Sequence, residues 1–168
     1  VICCTGFGAE RIWQTIGSEF EDIAIGYSRE DKPLGTAGAL CLSADQWNSE
    51  FALVMNGDTL FGLDLPAFLS WSAGKSDLVA CLALAPFPGT ERYGSVTTDE
   101  TGRITLFDEK GSCTSDWINA GIYLIRYSLL DTFPHHRPLS LETEIFPTLI
   151  GGGLYGHRQN GRFLDIGV

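Results

Sequence analysis

Short apolar runs alternate with helix-period patterns along most of this chain, which restricts it to a sheet with helices packed against it. Val1–Cys4 reads as a strand, after which Ala9, Ile12, Trp13 and Ile16 fall on one face of a helix. Ile23–Tyr27 reads as a second strand. Beyond the turn Asp31-Lys32-Pro33, the set Ala37, Leu40, Cys41 and Ala44 repeats the helical spacing. Phe51–Met55 is a continuous apolar run, as expected of a strand covered on both faces. Leu65, Phe68 and Leu69 give another helix, and Leu78–Leu84 another buried strand. From residue 94 the pattern changes. Ser95–Thr98 and Ile104–Asp108 alternate in the half-buried manner around the turn Asp99-Glu100-Thr101-Gly102. Trp117–Ile125 is strand-like, and Leu141–Leu149 is helical with Glu142 and Glu144 in its first turn. Leu154–His157 and Phe163–Ile166 read as closing strands around an Asn160-Gly161 turn. The expected class is α/β: an open, mostly parallel sheet flanked by helices, with a β-rich insertion. No repeat, low-complexity stretch or long linker divides it, so residues 1–168 read as a single domain.

Charge removes several functions. Lys+Arg number 11 against Asp+Glu 21, a formal net charge of −10, whereas a nucleic-acid surface or a membrane-docking face needs clustered cations. Hydrophobic residues at 44% and charged ones at 19% describe a globular chain, not a disordered one. No apolar run approaches the ~20 residues of a membrane span, and no charged region precedes an apolar stretch as in a signal peptide. A cytoplasmic protein is expected. The five cysteines, Cys3, Cys4, Cys41, Cys81 and Cys113, lack metal-ligand spacing and read as small, mostly buried thiols. The sequence does not begin with Met and opens and closes within apolar runs, so both ends are expected to be cut.

Four constellations could carry chemistry. Pro33-Leu34-Gly35-Thr36-Ala37-Gly38 runs into a helix, where glycines allow close backbone approach and free N–H groups attract an anion or a base edge; a plain turn before a helix is the alternative. Asn56-Gly57-Asp58 follows a buried strand directly, the place where open α/β sheets bind ligands. Asp58 there is a hard oxygen donor suited to Mg²⁺, or else the cap of an Asx turn. Asp165 ends a second strand, and the two carboxylates could share one metal if their strands are neighbours. Glu91-Arg92-Tyr93-Gly94, Glu109-Lys110 and Asn119 offer hydroxyl and phosphate partners, or are an exposed pair and a turn residue. His135, His136 and His157 read as surface residues, and no Ser/His/Asp or Cys/His order suggests acyl transfer.

In order, Pro33–Gly38, Val54–Thr59, Arg92–Val96, Phe107–Lys110, Ile118–Ile125 and Phe163–Val168 resemble the sugar-1-phosphate nucleotidyltransferases, the nucleotide-diphosphosugar pyrophosphorylases. The likeness leans to the guanylyltransferase-like branch acting on mannose 1-phosphate or D-glycero-D-manno-heptose 1-phosphate. That resemblance implies a Rossmann-like nucleotide-diphospho-sugar transferase fold with a sugar-binding insertion. It implies a nucleoside triphosphate, GTP favoured, and a sugar 1-phosphate as substrates, with Mg²⁺ as cofactor. Leu34, Gly35, Thr36, Gly38 and Asn56 would bind the nucleotide. Gly94, Glu109 and Asn119 would contact the sugar, Lys110 its phosphate, and Asp58 and Asp165 the metal. Asp58, Lys110 and Asp165 would be the catalytic set. A homo-oligomer is compatible with all of this.

One departure counts. The family opens with a strand and a glycine-rich Gly-Gly-x-Gly-Thr-Arg loop that cradles the triphosphate, whereas Thr5-Gly6-Phe7-Gly8 has no following Arg-Leu and aligns better with the family's second strand. The first strand and that loop are therefore expected to be missing, which would leave this chain an inactive, poorly soluble fragment of an active enzyme. A non-catalytic nucleotide-sugar-binding relative is the alternative. A metal-dependent glycosyltransferase is a further one, although Asn56-Gly57-Asp58 carries a single carboxylate where an Asp-x-Asp pair is usual.

Overall fold

The computed structural model describes residues 1–86, 95–108, 115–133 and 137–166. Its main sheet has six strands, built on β7 (Ala80–Pro86) and the long β10 (Trp117–Arg126), which pair antiparallel. Outside β7 lies β11 (Leu154–Arg158), parallel to it. On its other side β10 pairs antiparallel with β5 (Phe51–Met55) and, at Ile118, with β8 (Ser95–Thr98), which forms a hairpin with β9 (Ile104–Asp108). Thus β5, β7, β8 and β11 all run one way, with β10 and β9 reversed. A parallel pair of β1 (Ile2–Thr5) and β4 (Gly26–Arg29) stands apart. So do two antiparallel pairs, β2 (Glu19–Phe20) with β3 (Ile23–Ala24), and β6 (Thr59–Phe61) with β12 (Phe163–Asp165). Three helices, α1 (Ala9–Ile16), α2 (Gly35–Ser43) and α3 (Leu65–Ala73), complete the expected α/β class. Among the described residues no helix is long and apolar enough to cross a membrane.

The alternation of β7 explains the two cores. Ala80, Leu82 and Leu84 face one side with Tyr123, Ile125, Leu141 and Phe146, while Cys81, Ala83 and Ala85 face Phe68 of α3 and Phe61 of β6 on the other. Every one of these is buried, and each large side chain among them contributes roughly 1.5–3 kcal/mol over exposure. Burial also pushes the Cys81 thiol up to about 12, so it stays protonated.

Several expectations change. The strand Phe51–Met55 has the expected bounds but is not covered on both faces: Leu53 is 36% and Met55 62% exposed, because β5 lies at the margin of the sheet. Ile23–Tyr27 splits, its first part turning back on β2 and its last part joining β1. Leu154–His157 and Phe163–Ile166 do not close a hairpin, since β11 pairs with β7 and β12 with β6. The helical stretch Leu141–Leu149 is one wide π turn, Leu141–Ile145, followed by a 3-10 turn, Phe146–Leu149. Pro147 cannot donate to an α ladder. Of the described cysteines only Cys81 is buried; Cys3 and Cys41 are half-buried and Cys4 is exposed, while Cys113 lies outside the described residues.

His157 is not a surface residue. Its ring stands 5.0 Å from Trp71 and 5.7 Å from Phe68, and among the described residues its buried Nδ1 has no hydrogen-bond partner. Burial holds its pKa below the ordinary 6.5, only partly offset by the charge of Asp64. The unfolded chain therefore binds this proton more readily than the folded one. The contribution is fully present above pH 6.5 and is lost as pH falls below that value. Denaturant melts at pH 7.5 and 5.5 are expected to show a larger acid loss for the wild type than for His157→Phe; equal losses would contradict this origin. His135 and His136 lie outside the described residues.

Candidate active site

The site begins where β5 ends. The Asn56 N–H donates to the Gly121 carbonyl at 2.8 Å, joining that end to an irregularity in β10 where the register against β7 shifts between Asn119 and Tyr123. Gly121 has φ +70, and a Cβ there would come within 2.9 Å of Asn56 Nδ2, so this close approach requires glycine. Its N–H donates to Asn119 Oδ1 at 3.1 Å. Two residues far apart in sequence, Asn56 and Asn119, are thus brought to the same rim through one glycine.

The backbones that carry the two aspartates are neighbours. Asp58 sits exposed in the turn between β5 and β6, and β12 runs antiparallel to β6 with Asp165 opposite Thr59. The Ile166 N–H donates to the Asp58 carbonyl at 2.9 Å, so the strand adjacency on which a shared metal depended is present. No group of three or more His, Cys, Asp or Glu among the described residues forms a ready-made metal cage. Two carboxylates on adjoining backbones still suit Mg²⁺, which keeps several waters and is held by one or two carboxylates plus substrate phosphates.

The start of α2 differs from expectation in one respect. The N–H groups of Ala37 and Gly38 are not free for a ligand: both donate to the Leu139 carbonyl, at 2.9 and 3.3 Å. The Leu139 N–H in turn donates to the Leu34 carbonyl at 2.7 Å, and the Leu34 N–H to Glu30 Oε2 at 2.9 Å. Gly35, at φ +72, lets the segment around Leu139 press against the helix start, and a Cβ there would meet Leu139 O at 2.5 Å. This glycine serves a contact inside the protein. Gly35 and Thr36 remain exposed beside it.

The turn bearing Leu139 is itself capped. Ser140 Oγ accepts from the Thr143 N–H at 3.1 Å, and Glu144 Oε2 accepts from the Ser140 N–H at 3.0 Å, a capping box widened by one residue to suit the π turn. That backbone donor, with the Arg137 guanidinium, holds the Glu144 carboxyl below its ordinary value. Sequence reasoning missed the role of the next carboxylate. Glu142 accepts from Thr36 Oγ1 at 2.7 Å and from Tyr123 OH at 3.1 Å, reaching across 106 residues to α2. The only signal was an acidic pair behind a serine. Gly94, Glu109 and Lys110, expected to bind the sugar and its phosphate, lie outside the described residues.

The family profile described as Nucleotidyl transferase matches residues 1–167. D-glycero-alpha-D-manno-heptose 1-phosphate guanylyltransferase of Aneurinibacillus thermoaerophilus is 34% identical over 170 residues, covering 100% of this chain and 73% of that protein. Mannose-1-phosphate guanylyltransferase of Mycobacterium tuberculosis is 34% identical over 151 residues, covering 87% of this chain but 42% of that protein. Among solved structures, HddC from Yersinia pseudotuberculosis, complexed with GMP-PN, superposes with a TM-score of 0.84 at 24% identity, covering 99% of this chain and 72% of that one. That likeness places the fold.

Proposed function

This chain belongs to the nucleotidyl transferase family, and from that premise we propose that the gene product condenses GTP with a sugar 1-phosphate of the mannose or D-glycero-D-manno-heptose type. An oxygen of the sugar 1-phosphate attacks the α-phosphorus of GTP; the bond from that phosphorus to the bridging oxygen breaks, and pyrophosphate leaves with its electron pair. No protein nucleophile is needed, only positioning and neutralisation of charge. The names of the relatives support the reaction class. The observation that supports it at these residues is that the strands bearing Asp58 and Asp165 lie side by side, next to the Asn56–Gly121–Asn119 rim.

In this reading Leu34, Gly35, Thr36, Gly38 and Asn56 flank the nucleotide, and Asn119 turns toward sugar hydroxyls. Gly94 and Glu109 add sugar contacts, and Lys110 a cation at the sugar phosphate. Asp58 and Asp165 hold Mg²⁺. When bound, that ion would offset the negative charge of the phosphates, together with Lys110. The same reading takes residues 1–168 as one nucleotidyltransferase domain working in the cytoplasm.

The test is release of pyrophosphate by the gene product, with each nucleoside triphosphate and each sugar 1-phosphate in turn. Release that needs the sugar phosphate and a divalent cation together, and is fastest with GTP, is the expected result. Binding of a GDP-sugar with no release at any combination would replace the enzyme by a nucleotide-sugar binder.

A further inference from the structure

We propose that Glu142 is a positioning residue that couples the nucleotide side of the site to the sugar side through an ordered chain of hydroxyl hydrogen bonds; the names of the two sides rest on the function proposed above. Three hydroxyls converge on its carboxylate: Tyr123 OH on Oε1 at 3.1 Å, and Thr36 Oγ1 and Ser140 Oγ on Oε2 at 2.7 and 2.9 Å. A carboxylate only accepts, so each hydroxyl must direct its proton to Glu142. Each can then only accept from whatever lies behind it. Behind Thr36 is the Leu141 N–H, at 2.8 Å; behind Tyr123 is Asn119 Nδ2, at 2.9 Å. Asn119 must therefore turn its NH₂ group to Tyr123 and its oxygen to the Gly121 N–H.

The polarity of Asn119 is thus held from two sides, by the Gly121 N–H directly and by Glu142 two hydrogen bonds away. What the amide has left over is one N–H and one lone pair in a fixed order, a reader for a hydroxyl that donates on one side and accepts on the other. The other arm of the same carboxylate holds Thr36 at the start of α2. Tyr123 is fully buried, and Asn119, Ser140 and Glu142 are half-buried. In such surroundings hydrogen bonds strengthen one another and a reversed one is costly.

Glu142→Gln keeps the shape and reverses the logic. Its NH₂ group makes hydroxyls accept instead of donate, Tyr123 if it stands at the Oε1 position and Thr36 with Ser140 if it stands at Oε2. If it is Tyr123, its oxygen takes the new NH₂ beside Asn119 Nδ2 and its proton no longer goes to residue 142, which loosens the hold on Asn119.

The side-chain amide resonances of Asn119 are the probe, recorded on the unliganded chain. Thr36→Val is expected to shift them with Glu142 present and to leave them unmoved in the Glu142→Gln background. Tyr123→Phe, which cuts the same link from the other end, should also abolish the response. A Thr36→Val shift that survives Glu142→Gln, or no shift at all, overturns the proposal. In ligand titrations of the gene product, Glu142→Gln is expected to weaken GDP-mannose or GDP-heptose binding about tenfold. The losses from Thr36→Val and Asn119→Ala should multiply in that background but not in the wild type. Resonance coupling without binding of any GDP-sugar would uphold the relay and remove the proposed function. Binding without resonance coupling would do the reverse.

Discussion

Asp58→Asn is expected to lower pyrophosphate release by the gene product roughly 10²–10³-fold at fixed Mg²⁺, the loss typical of removing one preorganised group that stabilises transition-state charge. Folding should barely notice. Asp58 is exposed in a turn, and among the described residues its side chain accepts a long 3.4 Å bond from Thr59 Oγ1. Its unfolding free energy should stay within about 0.5 kcal/mol of wild type. Asp165→Asn should cost a similar factor in rate. The two substitutions together should cost little more than either alone, because carboxylates that serve one ion act as a unit. Part of each loss should be recovered by raising Mg²⁺, since the residual carboxylate still binds it weakly. Independent losses that multiply, or single variants retaining half the wild-type rate, would show that the two residues do not share a cation.

The proximity behind that prediction marks the boundary of what the sequence can tell. Each aspartate was legible as a carboxylate at the end of an apolar run, because strand ends in open sheets are where ligands bind. Their adjacency was not. It depends on β12 finding β6 at a register that sets Asp165 against Thr59, and nothing local to either strand encodes that pairing. Phe51–Met55 shows the same division within one element. Its apolar run gives the strand with correct ends, but its place at the sheet margin, which exposes Leu53 and Met55, is decided by its tertiary partners. The wide turn at Leu141–Ile145 went further astray. Periodicity there is indistinguishable from an α-helix, and the capping by Ser140 and Glu144 shows itself only in the folded loop. Pro33–Gly38 was read correctly as a glycine-assisted helix start, but the partner that the glycine admits is the Leu139 backbone, a contact made by a segment a hundred positions away.

That last contact makes Gly35→Ala a substitution expected to damage stability severely. Gly35 sits at φ +72, where an L side chain costs ~1–2 kcal/mol in any surroundings. Its added methyl would also meet Leu139 O at 2.5 Å, Leu139 C at 3.0 Å and Leu139 N at 3.2 Å, all backbone atoms that cannot swing aside as a side chain would. Moving them breaks the bonds from Ala37 and Gly38 to Leu139 and from Leu139 to Leu34, and it draws Leu141 and Glu142 away from Thr36. Overpacking of this kind adds about 1–3 kcal/mol, for a total of roughly 2–5 kcal/mol in denaturant unfolding. Two controls separate the causes. Gly8→Ala shares the positive φ, +77, but its methyl would meet nothing within 4 Å, so it should cost only the ~1–2 kcal/mol of backbone strain. Gly38→Ala is helical, and its methyl would meet chiefly the Leu34 side chain, 2.8 Å away at Cβ, so its cost should fall between zero and that of Gly35→Ala. If Gly35→Ala proved no worse than Gly8→Ala, the segment around Leu139 would not be clamped on the helix start, and the relay from Thr36 to Asn119 would lose its anchor as well.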